Sequence, residues 1–238
     1  MPKNQAEAVV LRTFPVGNQD KMVIFFSRDK GLIKGIAKGA KKFGSRFGSS
    51  LEPMSHVNAF YYEKENKDLV VVSSCDLLES FFDLQGKLES VYALNYFSEL
   101  IENSRPSQCD EDVLFRLLLA VLREMGSSGN PDFLTAYFEI WFLKINGFLP
   151  GFHTCRKCGR LSPEWLSRAK DGAFCTACAP QKKEKIPDGL SDFIRWVRKN
   201  PPSKSGSFSP EQIKKIRKVL KELIVYHFEH VPSSLYSP

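Results

Sequence analysis

Short apolar runs bounded by turn residues fill the first 80 positions of the chain. Ala6-Glu7-Ala8-Val9-Val10-Leu11 leads into a turn at Pro15-Val16-Gly17-Asn18. Met22–Phe26 and Leu32–Ala37 flank Arg28-Asp29-Lys30-Gly31, the composition of a tight hairpin turn. Two further runs lie around Val57–Glu63 and Leu69–Ser74, with Lys64–Asp68 as the turn between them. Five short strands in roughly 75 residues predict a small barrel, and an OB-type barrel has that strand count. Lys38–Ser50 is rich in Gly, Ser and Lys and is predicted as a flexible loop, as is Asn200–Ser209.

From about residue 80 the spacing of apolar positions lengthens. Leu84, Leu88, Tyr92, Tyr96 and Leu100 lie four apart, as on one helix face. Asp110-Glu111-Asp112 places acid at a helix start, and Gly126 ends that helix. Asn130 before Pro131 reads as an N-cap with proline in the first turn, and Gly147 as a C-terminal stop. Between them the chain is apolar nearly all round, the mark of a helix at a domain centre. Ser191 is predicted to cap Asp192–Asn200. Ser209-Pro210-Glu211-Gln212 forms a capping box for a helix to about Phe228, with Ile213, Ile216, Leu220, Leu223 and Ile224 as its core stripe. The expected fold is multi-domain α+β: an OB-fold β-barrel (1–80), a helical domain (81–150 with 181–238), and an insertion (151–180).

Composition adds little, because 42% hydrophobic and 26% charged residues is ordinary for a globular chain. There is no apolar run long enough to span a membrane and no secretory signal pattern at the start, so the expectation is a reducing, cytoplasmic setting. The distribution of charge matters more than the total of +7. Net charge is +3 over residues 1–80, −5 over 81–150, +3 over 151–180 and +6 over 181–238. Basic ends around an acidic middle point to a polyanionic partner.

Cys155-Arg-Lys-Cys158 and Cys175-Thr-Ala-Cys178 match the spacing C-x2-C-x15–20-C-x2-C of a zinc site. Two residues between cysteines let both thiolates reach one ion, and two such knuckles complete a tetrahedron. Gly159 and Ala179, just after each pair, suit the tight turn. Four thiolates close the coordination shell, so one structural Zn2+ per chain is expected. His153, just ahead of the first cysteine, is a substitute ligand at most.

Residues 28–48 carry seven cations against the single acid Asp29, with Phe43 and Phe47 among them. Cations interleaved with rings suit single strands, since charges track phosphates while rings stack bases. Lys34, Lys38, Lys41, Lys42 and Arg46 are the candidate phosphate contacts, and Arg12 and Lys21 would extend the patch across the barrel. No GxxxxGK(S/T), GxSxG or GxGxxG pattern occurs, and four histidines supply few general bases. The expectation is therefore a binding protein and not an enzyme. Cys75 and Cys109 read as packed thiols, His56 as a strand start, and His227 and His230 as the end of the last helix.

Several of these runs resemble a known family. Ala6 to Arg12, then Lys30-Gly31-Leu32-Ile33-Lys34-Gly35-Ile36-Ala37-Lys38-Gly39-Ala40-Lys41-Lys42, then Ser45 to Pro53, are similar to the N-terminal domain of the RecO family of bacterial recombination mediators. Tyr137-Phe138-Glu139, Leu143 and Gly147-Phe148-Leu149-Pro150, followed by Cys155-x-x-Cys158-Gly159, are similar to its C-terminal part. The resemblance implies an OB-fold, then helices with a four-cysteine zinc ribbon. It implies binding of single- and double-stranded DNA. It also implies annealing of strands coated by single-stranded DNA-binding protein (SSB), partnership with RecR, and help in loading RecA. The setting it implies is the nucleoid. Where relatives often continue in a basic tail, this sequence reads Glu229 to Pro238. The basic helix with Lys214, Lys215, Arg217, Lys218 and Lys221 is the alternative surface for the acidic SSB tail.

Three rival classes stay open on residue chemistry alone. An RNA-binding or ribosome-associated OB/zinc-ribbon protein would use the same charges and rings. A zinc-dependent nuclease or deaminase would need an open metal position, which four thiolates deny. A protein-binding scaffold would use its lysines only for solvation. Five phosphate contacts predict a salt slope of about −3.5 on single strands.

Overall fold

The computed structural model describes residues 3–63, 68–104, 108–127, 129–204 and 206–228. The turn expected at Lys64–Asp68 is thus described only at Asp68, and Glu229–Pro238, with His230, lies outside the described residues. The chain forms two compact units, the first up to Gly126 and the second from Ser127 onward. Segment 81–150, read from sequence as part of one helical domain, is divided between them.

Five strands open the first unit: β1 (Lys3–Val16), β2 (Asp20–Ser27), β3 (Gly31–Ala37), β4 (His56–Tyr62) and β5 (Val70–Glu79). They close into a barrel in the order β1-β2-β3-β5-β4, with only β3 and β5 parallel. This is the expected OB-type closure, and closure leaves no sheet edge open to other chains. Alternation fixes the register. Ala6, Ala8 and Val10 of β1, Val23 and Phe25 of β2, and Val57, Ala59 and Tyr61 of β4 all point to one core. The pairing of β1 with β2 shifts between Val10 and Arg12, so the strand bends there to serve both neighbours. Gly35 sits where β3 meets β5. A Cβ there would lie 2.7 Å from Val72 and 2.8 Å from Val70, so only glycine allows the parallel closure.

Two expectations in this unit need correction. Lys38–Ser50 is no free loop. It is laid down as successive turns, with Lys42 N–H donating to Gly39 O (3.1 Å), Ser45 to Lys42 (3.0 Å), Gly48 to Ser45 (3.2 Å) and Ser50 to Phe47 (2.9 Å). Gly39, Gly44 and Gly48 have positive φ at these turns, which is why glycine recurs there. The four-residue spacing from Leu84 also misleads. Residues four apart advance about 400° on a helix, so such a row drifts about 40° per step off one face. Leu84 belongs to a separate 3-10 turn (Phe82–Gly86), and α1 runs only from Leu88 to Asn103. Leu88 is 67% exposed, while Ala93, Leu94, Phe97, Leu100 and Ile101 form the buried face. Helix α2 (Gln108–Ser127) starts near the predicted acids. Its Phe115 ring stands 6.1 Å from Phe26 and 5.8 Å from His56, so it packs on the barrel.

The second unit opens with α3 (Pro131–Ile145). Asn130 caps it as expected, its side chain accepting from Asp132 N–H (2.9 Å) and Phe133 N–H (3.2 Å). Every residue from Leu134 to Ile140 is buried, including Glu139, which meets Arg217 of α5 (Pro210–Phe228) at 3.7 Å. A buried carboxylate needs such a partner. The capping box of α5 is reciprocal: Ser209 N–H donates to Gln212 Oε1 (2.8 Å) and Gln212 N–H to Ser209 Oγ (3.2 Å). The predicted stripe is its buried face. Helix α4 (Leu190–Lys199) begins earlier than expected, with Gly189 as its cap. Ser191 does not cap it. Its hydroxyl donates instead to Phe152 O at 2.7 Å, tying the helix to the segment before the first cysteine. The stretch expected as a flexible loop at 200–209 is anchored by Phe208, whose ring meets Phe193 at 4.9 Å.

Between α3 and α4 lies a small sheet of β6 (Trp165–Ser167), β7 (Ala173–Phe174) and β8 (Lys183–Lys185), in the order β7-β6-β8. Strands this short carry little core of their own.

Candidate metal centre and nucleic-acid interface

The four cysteines converge. Each knuckle folds back on itself: Gly159 N–H donates to Cys155 O (2.9 Å) and Cys178 N–H to Cys175 O (3.0 Å). Gly159 has φ +72°, so the small residue after the first pair is required by the turn. All four Sγ atoms lie within 4.8 Å of one another, and Cys158 and Cys175 are 3.7 Å apart. Four sulfurs at about 2.3 Å from one tetrahedral ion would be about 3.8 Å apart, so the donor set fits such an ion. The thiols of the cluster differ in acidity. A backbone hydrogen bond from Cys175 lowers the Cys155 thiol to about 6, while thiol hydrogen bonds, with Cys158 first, push Cys178 up to about 12. Four sulfurs this close resist full ionisation unless a cation joins them. His153 is not in the cluster. Its Nδ1 faces the Arg195 guanidinium at 3.5 Å.

The sheet that carries the knuckles is fastened to α5 by Lys170. This side chain is 7% exposed and meets Glu184 of β8 (2.8 Å) and Glu222 of α5 (2.9 Å). No sequence pattern marked it.

The candidate phosphate contacts divide into three groups. Lys38, Lys42 and Arg46 come together around a cleft of about 520 Å³, which Gln19, Asp20 and Phe43 also line. Asp20 is spoken for, since its carboxylate accepts from Gly39 N–H at 2.8 Å. Arg46 donates to Ser73 O (2.6 Å) and stacks 4.7 Å over Phe47. Lys34 stands exposed on β3, and Lys41 reaches Gly17 O at 3.4 Å. Arg12 and Lys21 already have acidic partners: Arg12 meets Glu102 (2.6 Å) and Glu99 (3.4 Å) of α1, and Lys21 meets Glu52 (3.7 Å). The two phenylalanines part company. Phe43 is wholly exposed, whereas Phe47 is 3% exposed and belongs to the barrel core.

With this geometry in place, similarity to known proteins becomes informative. Residues 1–81 match the family model Recombination protein O N terminal, and residues 85–235 match Recombination protein O C terminal. The chain belongs to the RecO family. The DNA repair protein RecO of Koribacter versatilis is 40% identical over 157 residues, which cover 65% of this chain and 63% of that protein, a little under two thirds of it. The DNA repair protein RecO of Pelotomaculum thermopropionicum is 29% identical over 231 residues, covering 94% and 89%. That of Desulforudis audaxviator is 27% identical over 245 aligned positions, covering 99% and 96%. RecO membership places the chain in DNA repair and recombination. Among the described residues no helix is long and apolar enough to cross a membrane.

Proposed function

We propose that this chain is a DNA-binding recombination mediator that makes and breaks no covalent bond. It anneals complementary single strands coated by SSB and, with RecR, helps load RecA at the nucleoid in the cytoplasm. The observation that carries this reading is the cleft where Lys38, Lys42 and Arg46 surround the fully exposed Phe43. Those cations neutralise phosphates and the ring offers a stacking face, which is what a single strand needs irrespective of sequence. Lys34 and Lys41 extend this surface, and double-stranded DNA meets it through phosphates alone. Arg12 and Lys21 contribute only if DNA displaces Glu99, Glu102 and Glu52.

Cys155, Cys158, Cys175 and Cys178 hold one zinc ion in this reading. When bound, zinc supplies a closed tetrahedral crosslink and no open position for water. The functional division is a barrel over 1–80, helices over 81–150 and 181–238, and the zinc ribbon over 151–180. The acidic SSB tail pairs with cations of the helical part.

Annealing of two complementary oligonucleotides coated with SSB, followed with and without the protein over a salt series, tests the reading. Salt-sensitive acceleration supports it. Acceleration of bare strands only would remove SSB recognition, and tighter binding to RNA than to DNA of the same sequence would favour an RNA-binding protein instead.

A further inference from the structure

The sequence pattern put a cationic face on α5, and there Lys214 and Lys218 stand exposed. Lys215 is paired with Glu211 (2.8 Å), Arg217 with Asp132 and Glu139, and Lys221 is partly buried, which pulls its pKa down. A different set of cations gathers within the second unit, at a cleft of about 590 Å³. Lys144 of α3 and Arg195, Arg198 and Lys199 of α4 line it, together with the buried Phe152 and Ile194. Among the described residues that line it, none is a carboxylate.

The cations are poorly compensated where they sit. Arg195 has Asp192 of its own helix at 3.6 Å. The Lys144 ammonium lies 4.3 Å over the Trp141 ring, and burial, then the nearby Arg198, hold its pKa below the ordinary lysine value. Helix dipoles favour a cation at the end of α3 and at the end of α4 taken singly. They do not favour bringing like charges from both helices to one acid-free cleft, and such an arrangement is relieved by an anion. Arg198 and Lys199 each lie one turn from Arg195, about 5–6 Å from it on the helix surface. Three cations spread over a helical turn, with Lys144 across the cleft, match a repeating charge better than a single carboxylate.

We propose that this cleft is a second phosphodiester-binding site, which holds one nucleic-acid strand while the barrel cleft holds another. It rests on the annealing reading in one respect, that two strands must be held at once, but it is tested by binding alone. The full zinc-loaded chain is titrated at low salt with a labelled, non-self-complementary DNA oligonucleotide of on the order of ten nucleotides, about the footprint of one OB barrel. The expected result is two strands per chain. The double variant Lys144→Gln/Arg198→Gln should bind one strand, with second-strand affinity down at least tenfold and the remaining affinity within twofold. The conservative pair Lys144→Arg/Arg198→Lys, which keeps the charge, should still bind two, and equal thermal unfolding of all three proteins excludes a folding defect. One strand per wild-type chain, or two on the glutamine variant, overturns the proposal. So does an acidic peptide with an apolar end that binds the wild type, fails on the glutamine variant and displaces no strand, because the cleft is then a peptide site. Two strands without accelerated annealing would keep this site and sink the annealing reading; accelerated annealing with one strand per chain would do the reverse.

Discussion

The barrel and the four-cysteine ribbon are both small, basic and rich in turns, yet they are held together differently. The barrel fills its interior from all five strands, from Ala6 to Cys75. Between Phe152 and Ile186 the apolar side chains the ribbon buries, besides Cys155 and Cys175, are Phe152, Pro163, Leu166, Ala173 and Ile186. Apolar burial of that size cannot offset the chain entropy of ordering some 30 residues at about 1–2 kcal/mol each. If its sulfurs hold zinc as proposed, the ribbon depends on that ion and the barrel does not.

The largest expected effect follows directly. Structural zinc sites bind with apparent free energies of about 10–16 kcal/mol at neutral pH, as much as a whole domain's stability. Replacing Cys175 with serine, or stripping metal with a strong chelator, should abolish amide protection across residues 154–186. Protection in β1–β5 should persist. Hydrogen exchange read by mass spectrometry gives both numbers at once, and simultaneous loss in the barrel would show that the barrel depends on the ion too.

Next in size is the pair Phe47 and Phe43, which share one loop and differ in burial. Phe47→Ala removes a core ring and should cost about 3–5 kcal/mol in denaturant unfolding of the first unit. Phe43→Ala should change stability by less than about 0.5 kcal/mol. It should instead weaken single-strand binding by about 1–3 kcal/mol, the cost of one lost stacking face. Equal stability losses for the two would mean that the exposed ring packs in solution.

Lys170 tests how the ribbon is joined to the helices. Lys170→Met keeps the length of the stem and leaves Glu184 and Glu222 facing one another. Both carboxylates are about a third exposed, so the loss should fall below that of a fully buried pair, at about 1–3 kcal/mol for the second unit. Adding Glu222→Gln should restore part of it by removing the repulsion. An unchanged midpoint for Lys170→Met would show that the apolar face of the ribbon suffices for docking.

These contrasts also show which features were legible in the sequence. Strand alternation gave the barrel, because each side chain's face follows from the period of two. The knuckles were legible because two intervening residues fix the reach of both thiolates, and the caps at Asn130 and Ser209 because side chain and backbone lie close in sequence. What escaped depends on partners distant along the chain. Nothing near Arg12 announces Glu99 and Glu102, nothing near Ser191 announces Phe152, and nothing near Lys170 announces Glu222. The row from Leu84 to Leu100 failed for another reason, since a spacing of four drifts across the helix surface and one exposed leucine can complete an apparent stripe. The loop from Lys38 was legible in charge but not in order, because consecutive turns have the same composition as a free linker.

The smallest expected effect separates neighbouring lysines of that loop. Lys42 lines the barrel cleft with Lys38 and Arg46, while Lys41 is directed to Gly17 O of the β1–β2 turn. Each phosphate neutralised on a single strand contributes about 0.7 to the slope of log affinity against log salt. Lys42→Gln should therefore flatten the slope by about 0.7, and Lys41→Gln by clearly less. Neither change should alter unfolding, since both side chains are exposed. If the two substitutions flatten the slope equally, the strand runs along the whole loop instead of through the cleft. If neither does, phosphates are met elsewhere on the barrel, with Lys34 on β3 the next to neutralise, because it stands exposed on the strand that leads into the loop.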